Sequence, residues 1–248
     1  MSSLSLLGLA FYVLVLVGAF AVRSAAGFGA VLIAVPMLAF ILPVSTAVSV
    51  ATALTAITSV HQVSRDWRQV AWWQFATMSL YTIIGIGVGF YFINMLDDNA
   101  LRHSLGLFLI LYSIYTLLTA KAPPVLPARW HRMLAAGTGI VGGLFGALFG
   151  GGVGPIYVIY FNMLRVDKEV FRVTMSTVML LGGAARMAGY ASFGFYQRSA
   201  IALIAIGLPL VIVGSWLGDR LVRKLNPQTF CWFVGGLILL SGISLLLK

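Results

Sequence analysis

The sequence predicts an all-α polytopic membrane protein of two inverted repeats, each a glycine-broken helical hairpin followed by three transmembrane helices. Composition is the first reason. Of 248 residues, 60% are hydrophobic and 9% charged, with a mean hydropathy of +1.01, which no soluble domain of ordinary composition matches. The second is a pair of matched breaks. Gly27-Phe28-Gly29 and Gly150-Gly151-Gly152 each interrupt an apolar run, and each is followed by a proline, Pro36 or Pro155. The third is an internal echo: laying residue n on residue n+129 superposes Gly85 on Gly214, Gly89 on Gly218, Leu96 on Leu225, Gly106 on Gly235 and Ile114 on Ile243.

In chain order, the runs near Leu4 to Val22, Ser45 to Val63, Ala71 to Ile93 and Leu105 to Ala120 make the first repeat, residues 1–120. Those near Met133 to Phe149, Thr174 to Ala191, Ile201 to Leu217 and Phe230 to Leu247 make the second, residues 133–248. Each is long enough to cross a bilayer as helix. The first run has no basic leader and is expected to be retained as a span. Residues 121–132 hold Pro123, Pro124 and Pro127 among basic residues and read as a linker. Cys231, the single cysteine, falls in the last run, so a disulfide within the chain is excluded and a thiolate metal site is not expected.

Charge sets the orientation. If each glycine break is the tip of a hairpin, eleven basic residues, Arg65 and Arg172 among them, fall on one side and only Arg102, Arg198 and Lys248 on the other. Eight simple crossings would divide them evenly, against the usual cytoplasmic excess of Lys and Arg. The hairpin arrangement puts both termini in the periplasm and the linker in the cytoplasm. It leaves open whether the hairpins are re-entrant or cross fully. The formal charge of +10 is scattered over short loops, where it serves orientation and anion attraction rather than nucleic-acid binding.

A helix broken inside lipid strands backbone amides, and that is tolerated only where they are buried in protein or line a cavity. In repeat-built transporters such paired breaks point to the substrate site. Candidate substrate-binding residues in the first half are Gly27, Phe28 and Gly29, with Ser24 a turn earlier and Pro36 limiting the returning helix. In the second they are Gly150, Gly151 and Gly152, with Pro155 suited to the first turn of a new helix. Gly142 and Gly146 are expected to serve packing, as are Gly85 with Gly89 and Gly214 with Gly218.

Two arginines, Arg23 and Arg186, fall inside apolar stretches, whereas the six acidic residues all fall in loops or at span ends. Intramembrane cations without carboxylates favour an anionic passenger; the alternatives are snorkelling of Arg23 to an interface and pairing of Arg186 with carbonyls. Ser45, Ser49, Thr52, Thr55 and Ser59 share one helix face, to line a path or to stitch helices together. His61 is a candidate proton carrier or an interfacial histidine. Trp67, Trp72, Trp73 and Trp130 read as interfacial belt residues.

These features resemble the TauE/SafE family of sulfite exporter-like membrane permeases, also called the toluene sulfonate uptake permease family. The resemblance covers essentially the whole chain. It rests on Gly-Ala-Leu-Phe-Gly-Gly-Gly-Val-Gly-Pro at 146–155, Phe-Arg-Val-Thr at 171–174 and Leu-Pro with spaced glycines over 208–218. Family-like positions are Gly27, Phe28, Gly29, Pro36, Gly150, Gly151, Gly152, Pro155 and Arg172. Ala30 and Val31 stand where further glycines are common. The resemblance implies uptake or export of sulfite, sulfoacetate or a similar sulfonate across a bacterial inner membrane, without a cofactor. A proton is the candidate coupling ion, lipid the surrounding partner, and a homo-oligomer is compatible with it. The alternatives are a non-transporting assembly or anchor subunit and an intramembrane enzyme. The latter is disfavoured because His61, His103 and His131 lie near span ends and no aspartate lies within a span.

Overall fold

The computed structural model describes residues 5–26, 29–93, 95–119, 131–150, 154–163, 167–220 and 227–247. Gly27, Phe28, Gly151, Gly152, Trp130 and the linker as far as it precedes His131 lie outside them, as do the side chains of Pro155 and Cys231. The described residues form ten α-helices and one 3-10 turn, with no strand. In order these are α1 (Leu6–Ala26), α2 (Ala30–Leu38), α3 (Val44–Asp66), a 3-10 turn (Trp67–Gln69), α4 (Trp72–Ile93), α5 (Asp98–Thr119), α6 (His131–Phe149), α7 (Gly154–Met163), α8 (Lys168–Ser192), α9 (Arg198–Arg220) and α10 (Pro227–Leu247).

Both helical interruptions fall where the glycines are. α1 ends at Ala26 and α2 begins at Ala30; α6 ends at Phe149 and α7 begins at Gly154. At 1.5 Å per residue, α1 is about 31 Å long and spans a bilayer, whereas α2 and α7, at nine and ten residues, reach only about half of its roughly 30 Å thickness. Pro36 lies inside α2, which continues two residues beyond it to Leu38. α5 and α8 start earlier than the apolar runs alone suggest, because polar residues open them: the Asp97 carboxylate accepts from the Ala100 N–H at 2.8 Å, and Asp167 stands at the N-cap of α8.

Four long helices satisfy length and apolarity for spanning among the described residues, lying in Leu6–Ser24, Val44–Gln69, Trp72–Ile93 and Arg198–Arg220. Their outward faces carry large apolar side chains such as Leu14, Leu80, Ile83, Ile212 and Val213, as a lipid environment requires. The chain is thus a multi-pass all-α membrane protein.

Helix pairing follows a two-part pattern. α1 packs on α9 and α4 on α6, α3 packs on α8, and α5 packs on α10. A Cβ on Gly85 would sit 2.1 Å from the Ile140 carbonyl oxygen and one on Gly89 2.7 Å from that of Leu144, so α4 and α6 touch backbone to backbone and run parallel. In the same way Gly214 meets Val17 and Gly218 meets Ala21, at 2.6 and 2.2 Å from their carbonyl oxygens, between α9 and α1. The small residues at these crossings let the helices approach closely, the usual basis of membrane helix association.

The other two pairings run antiparallel. Gly106 faces Gly242 across α5 and α10, while Ser113 Oγ donates to the Gly235 carbonyl at 2.7 Å; the offset of 129 residues carries one contact into the other. Across α3 and α8, Ala56 meets Gly183 and Ser176 Oγ donates to Gln62 Oε1 at 2.8 Å. Arg172 Nη2 closes the same end at 3.5 Å from Asp66 Oδ2.

Candidate functional site

α3 is the element against which both breaks lie. Its hydroxyl face is buried at Ser49, Thr52, Thr55 and Ser59, because a stripe spaced by three and four residues turns to one side of a helix. At the first break, Arg23 of α1 is 6% exposed and its Nη2 donates to Ser59 Oγ at 2.8 Å. Ser59 in turn donates to the Thr55 carbonyl at 2.9 Å. Gly29 follows at φ +99°, the N-cap of α2, a left-handed conformation that glycine alone adopts without strain. The Ile33 N–H donates to the Gly29 carbonyl at 3.3 Å, and the opening N–H groups of a helix have no acceptor within it. Ser24 points elsewhere: its hydroxyl donates to Asp219 Oδ1 on α9 at 2.8 Å, at an exposed position.

At the second break, Gly150 has φ +81°, and Thr52 Oγ1 donates to its carbonyl at 3.0 Å. The two contacts on α3, Thr52 and Ser59, are seven residues apart, about 10 Å along the axis. Tyr190 of α8 donates to the Ala147 carbonyl at the end of α6. Tyr196, in the α8–α9 turn, donates to the Ser49 carbonyl at 3.5 Å. Pro155 occupies the second position of α7, and two residues on, the Tyr157 hydroxyl shares a 3.0 Å hydrogen bond with Thr82 of α4. Gly142 makes room for Tyr157, since a Cβ there would lie 2.4 Å from its ring.

Between these elements sits Arg186 of α8, 2% exposed and the largest of the fully buried side chains among the described residues. Its Nη1 lies 3.1 Å from where a Cβ on Gly182 would be, and its Nη2 3.9 Å from the corresponding point on Gly183. The groups that interact electrostatically with the guanidinium are the hydroxyls of Tyr157, Tyr190 and Tyr196. Among the described residues it has no carboxylate partner, and its Nε has no hydrogen-bond partner at all. Thr55 Oγ1, on the α3 stripe, is likewise buried and unpartnered. A buried donor left unmade is expensive, on the order of 1–3 kcal/mol and more when charged, so a group of this kind is a standing invitation to an acceptor. No group of three metal-ligating side chains occurs among the described residues.

Comparison with known proteins gives this geometry its context. A family model described as "Sulfite exporter TauE/SafE" matches residues 11–245, nearly the whole chain. The chain belongs to the TauE/SafE family. Among its relatives, the "Probable inner membrane transporter protein TsaS" of Comamonas testosteroni is 25% identical over 182 residues, covering 73% of this chain and 74% of the relative. The "Probable sulfite/organosulfonate exporter TauE" of Cupriavidus necator is 24% identical over 208 residues, 83% of this chain and 80% of the relative. No solved structure matches. The protein is thus a membrane transporter of the TauE/SafE family.

Of the residues the sequence singled out in this TauE/SafE chain, the structure joins Thr52 to Gly150 by a hydrogen bond, buries Arg186 on α8, and sets Arg23 and Gly29 at the neighbouring break. Ser24 faces the exposed Asp219. Tyr157, Tyr190 and Tyr196 escaped sequence reasoning. One signal was available: Arg186 and Tyr190 are four residues apart, on the same face of one helix. Arg172 serves the end of the α3–α8 pair through Asp66, away from the Arg186 cluster.

Proposed function

We propose that this chain is a secondary transporter that moves a small sulfur-containing or organic anion, such as sulfite, sulfoacetate or a similar sulfonate, across a bacterial inner membrane by alternating access. The observation that carries the reading is Arg186: a guanidinium buried beside a helix break, with an unpartnered Nε and no carboxylate to neutralise it. A charge in that position is tolerated when a mobile counter-ion completes it. An anion seated there accepts from the Arg186 fork, whose planar donors match an oxyanion, and from the amides freed at the broken helices. Arg23 with Ser59 supplies a second polar stop at the other break.

The moving parts in this reading are two inverted repeats, residues 1–120 and 133–248, joined by a cytoplasmic linker. Inversion is supported by pairing: α3 runs antiparallel to α8 and α5 to α10, as equivalent helices of inverted halves must. The matched parallel pairs α1–α9 and α4–α6 exchange with one another under the same operation. Each glycine hairpin then packs against a helix of the opposite half, so rocking one half on the other reshapes both breaks together. The charge asymmetry supports periplasmic termini. The name of the Cupriavidus necator relative, a probable sulfite/organosulfonate exporter, supports a sulfur oxyanion or sulfonate as the passenger.

The test is binding followed by flux. Purified protein is expected to gain thermal stability with sulfite or sulfonates, because a passenger binds the folded state. Arg186→Ala is expected to abolish that gain while the protein still folds. Proteoliposomes should show anion flux above empty vesicles. An unchanged ligand response in Arg186→Ala removes the assigned role, and absent flux with intact folding favours an anchor or assembly subunit.

A further inference from the structure

We infer that the Arg186 site selects its ligand by charge state, accepting a monoanion and rejecting a dianion of the same shape. The inference deepens the proposed function and rests on its assignment of Arg186 as the anion's partner. It comes from a count of what faces the guanidinium from each packed element. α3 presents Ala56; α4 presents Thr82; α7 presents Tyr157; α8 itself presents Gly182, Gly183 and Tyr190; the turn after it presents Tyr196. None is cationic at neutral pH, and none is a carboxylate. Arg23, the other buried arginine among the described residues, belongs to α1 and is engaged by Ser59.

Among the described residues the site therefore offers one positive charge. A monoanion forms a neutral pair there, whereas a dianion leaves one negative charge uncompensated in the interior, the situation that buried ion pairs tolerate least. The surrounding hydroxyls do not relieve it. Tyr190 already donates to the Ala147 carbonyl, Tyr196 to that of Ser49 and Thr52 to that of Gly150, and Tyr157 and Thr82 share a single hydrogen bond between them. What these oxygens leave over is mostly lone pairs, which repel a second negative charge. The spare donors are the Arg186 N–H groups and the one hydroxyl hydrogen that the Tyr157–Thr82 pair does not use, enough for the oxygens of one sulfonate or hydrogen sulfite ion. The sulfite dianion, sulfate and sulfoacetate with its carboxylate ionised fall on the rejected side, so among the proposed passengers the inference favours hydrogen sulfite and simple monosulfonates.

The experiment is calorimetric titration of the full-length protein in detergent with methanesulfonate, sulfate and sulfite, below and above the second ionisation of sulfurous acid. Methanesulfonate, a monoanion throughout, is expected to bind with an affinity that does not change between the two conditions. Sulfate is expected to bind roughly 100-fold more weakly or not at all, and sulfite affinity is expected to fall with the monoanion fraction as pH rises. Sulfate binding as tightly as methanesulfonate, or sulfite binding that strengthens with pH, overturns the inference and leaves the transport reading standing. Undiminished methanesulfonate binding by Arg186→Gln also overturns it, because the site would then lie elsewhere. If none of the three ions binds, the proposed function fails and takes this inference with it.

Discussion

Three glycines in left-handed backbone give a graded test of how the second break is held. Gly150 (φ +81°), Gly29 (φ +99°) and Gly194 (φ +71°) each force an L-residue into a conformation it avoids, at about 1–2 kcal/mol. Their surroundings differ. A Cβ on Gly194 meets nothing within 4 Å, one on Gly29 meets Val22 Cγ1 at an ordinary 3.8 Å, and one on Gly150 meets Thr52 Oγ1 at 3.0 Å, Val48 Cγ1 at 3.1 Å and the Val48 carbonyl at 3.2 Å. Gly150→Ala therefore adds overpacking against α3, typically another 1–3 kcal/mol, for a total of about 2–5 kcal/mol. For a chain of this size that corresponds to an apparent melting temperature lower by roughly 5–15 °C, against about 2–6 °C for Gly194→Ala and Gly29→Ala. Thermal unfolding in one detergent at one scan rate reads the differences. Because the Gly150 carbonyl is bonded to Thr52 beside Arg186, Gly150→Ala is also expected to weaken sulfonate-induced stabilisation, which Gly194→Ala should leave intact. If all three variants melt alike, the seating of the second break against α3 is not what the geometry says.

Three further outcomes follow from the packing. Gly85→Ala is expected to destabilise by about 2–4 kcal/mol, because its Cβ would enter the Ile140 backbone at 2.1 Å and overpacking at a backbone contact has no side chain to give way. Gly87→Ala, two residues away with nothing within 4 Å, is expected to be neutral or up to about 1 kcal/mol stabilising, and the pair of melting curves checks both. Tyr12→Phe removes a 2.7 Å hydrogen bond to the Leu203 carbonyl of α9 and should lower stability by about 1 kcal/mol, again read by thermal unfolding. Arg172→Gln breaks a partly exposed ion pair with Asp66, so its effect should stay within about 1 kcal/mol and shrink as salt is raised.

The breaks themselves were legible in the sequence. Consecutive glycines within an apolar run followed by proline are incompatible with continuous helix, and Gly29 and Gly150 adopt the left-handed backbone that such a run makes available. The packing glycines were legible too, because a residue without a side chain at four-residue spacing is uninformative unless two helices meet there. Gly85 with Gly89 and Gly214 with Gly218 do sit at the α4–α6 and α9–α1 crossings. The half-span length of α2 and α7 was not, since an apolar stretch reads alike whether it continues or stops. α2 packs against α1, α3 and α10, and α7 against α6 and α8, contacts that no single stretch of sequence displays.

The site divides along the same line. Arg186 could be found because its oddity is one-dimensional: a cation far from any of six acidic residues that all lie at helix ends. Of its tyrosine surround only Tyr190, four residues on along α8, left a signal; Tyr157 and Tyr196 come from other elements and join it only when α7 packs against α4 and α6 and the α8–α9 turn reaches α3. Each hydroxyl would read, on its own helix, as an ordinary amphipathic aromatic with one end in need of a partner. The structure supplies that partner as a backbone carbonyl for Tyr190 and Tyr196, and in doing so removes the hydroxyl protons from competition for the ligand. That is why the cluster concentrates its unmet donor capacity on Arg186 rather than sharing it, and why one substitution at Arg186 should silence binding where changes to the tyrosines would only blunt it.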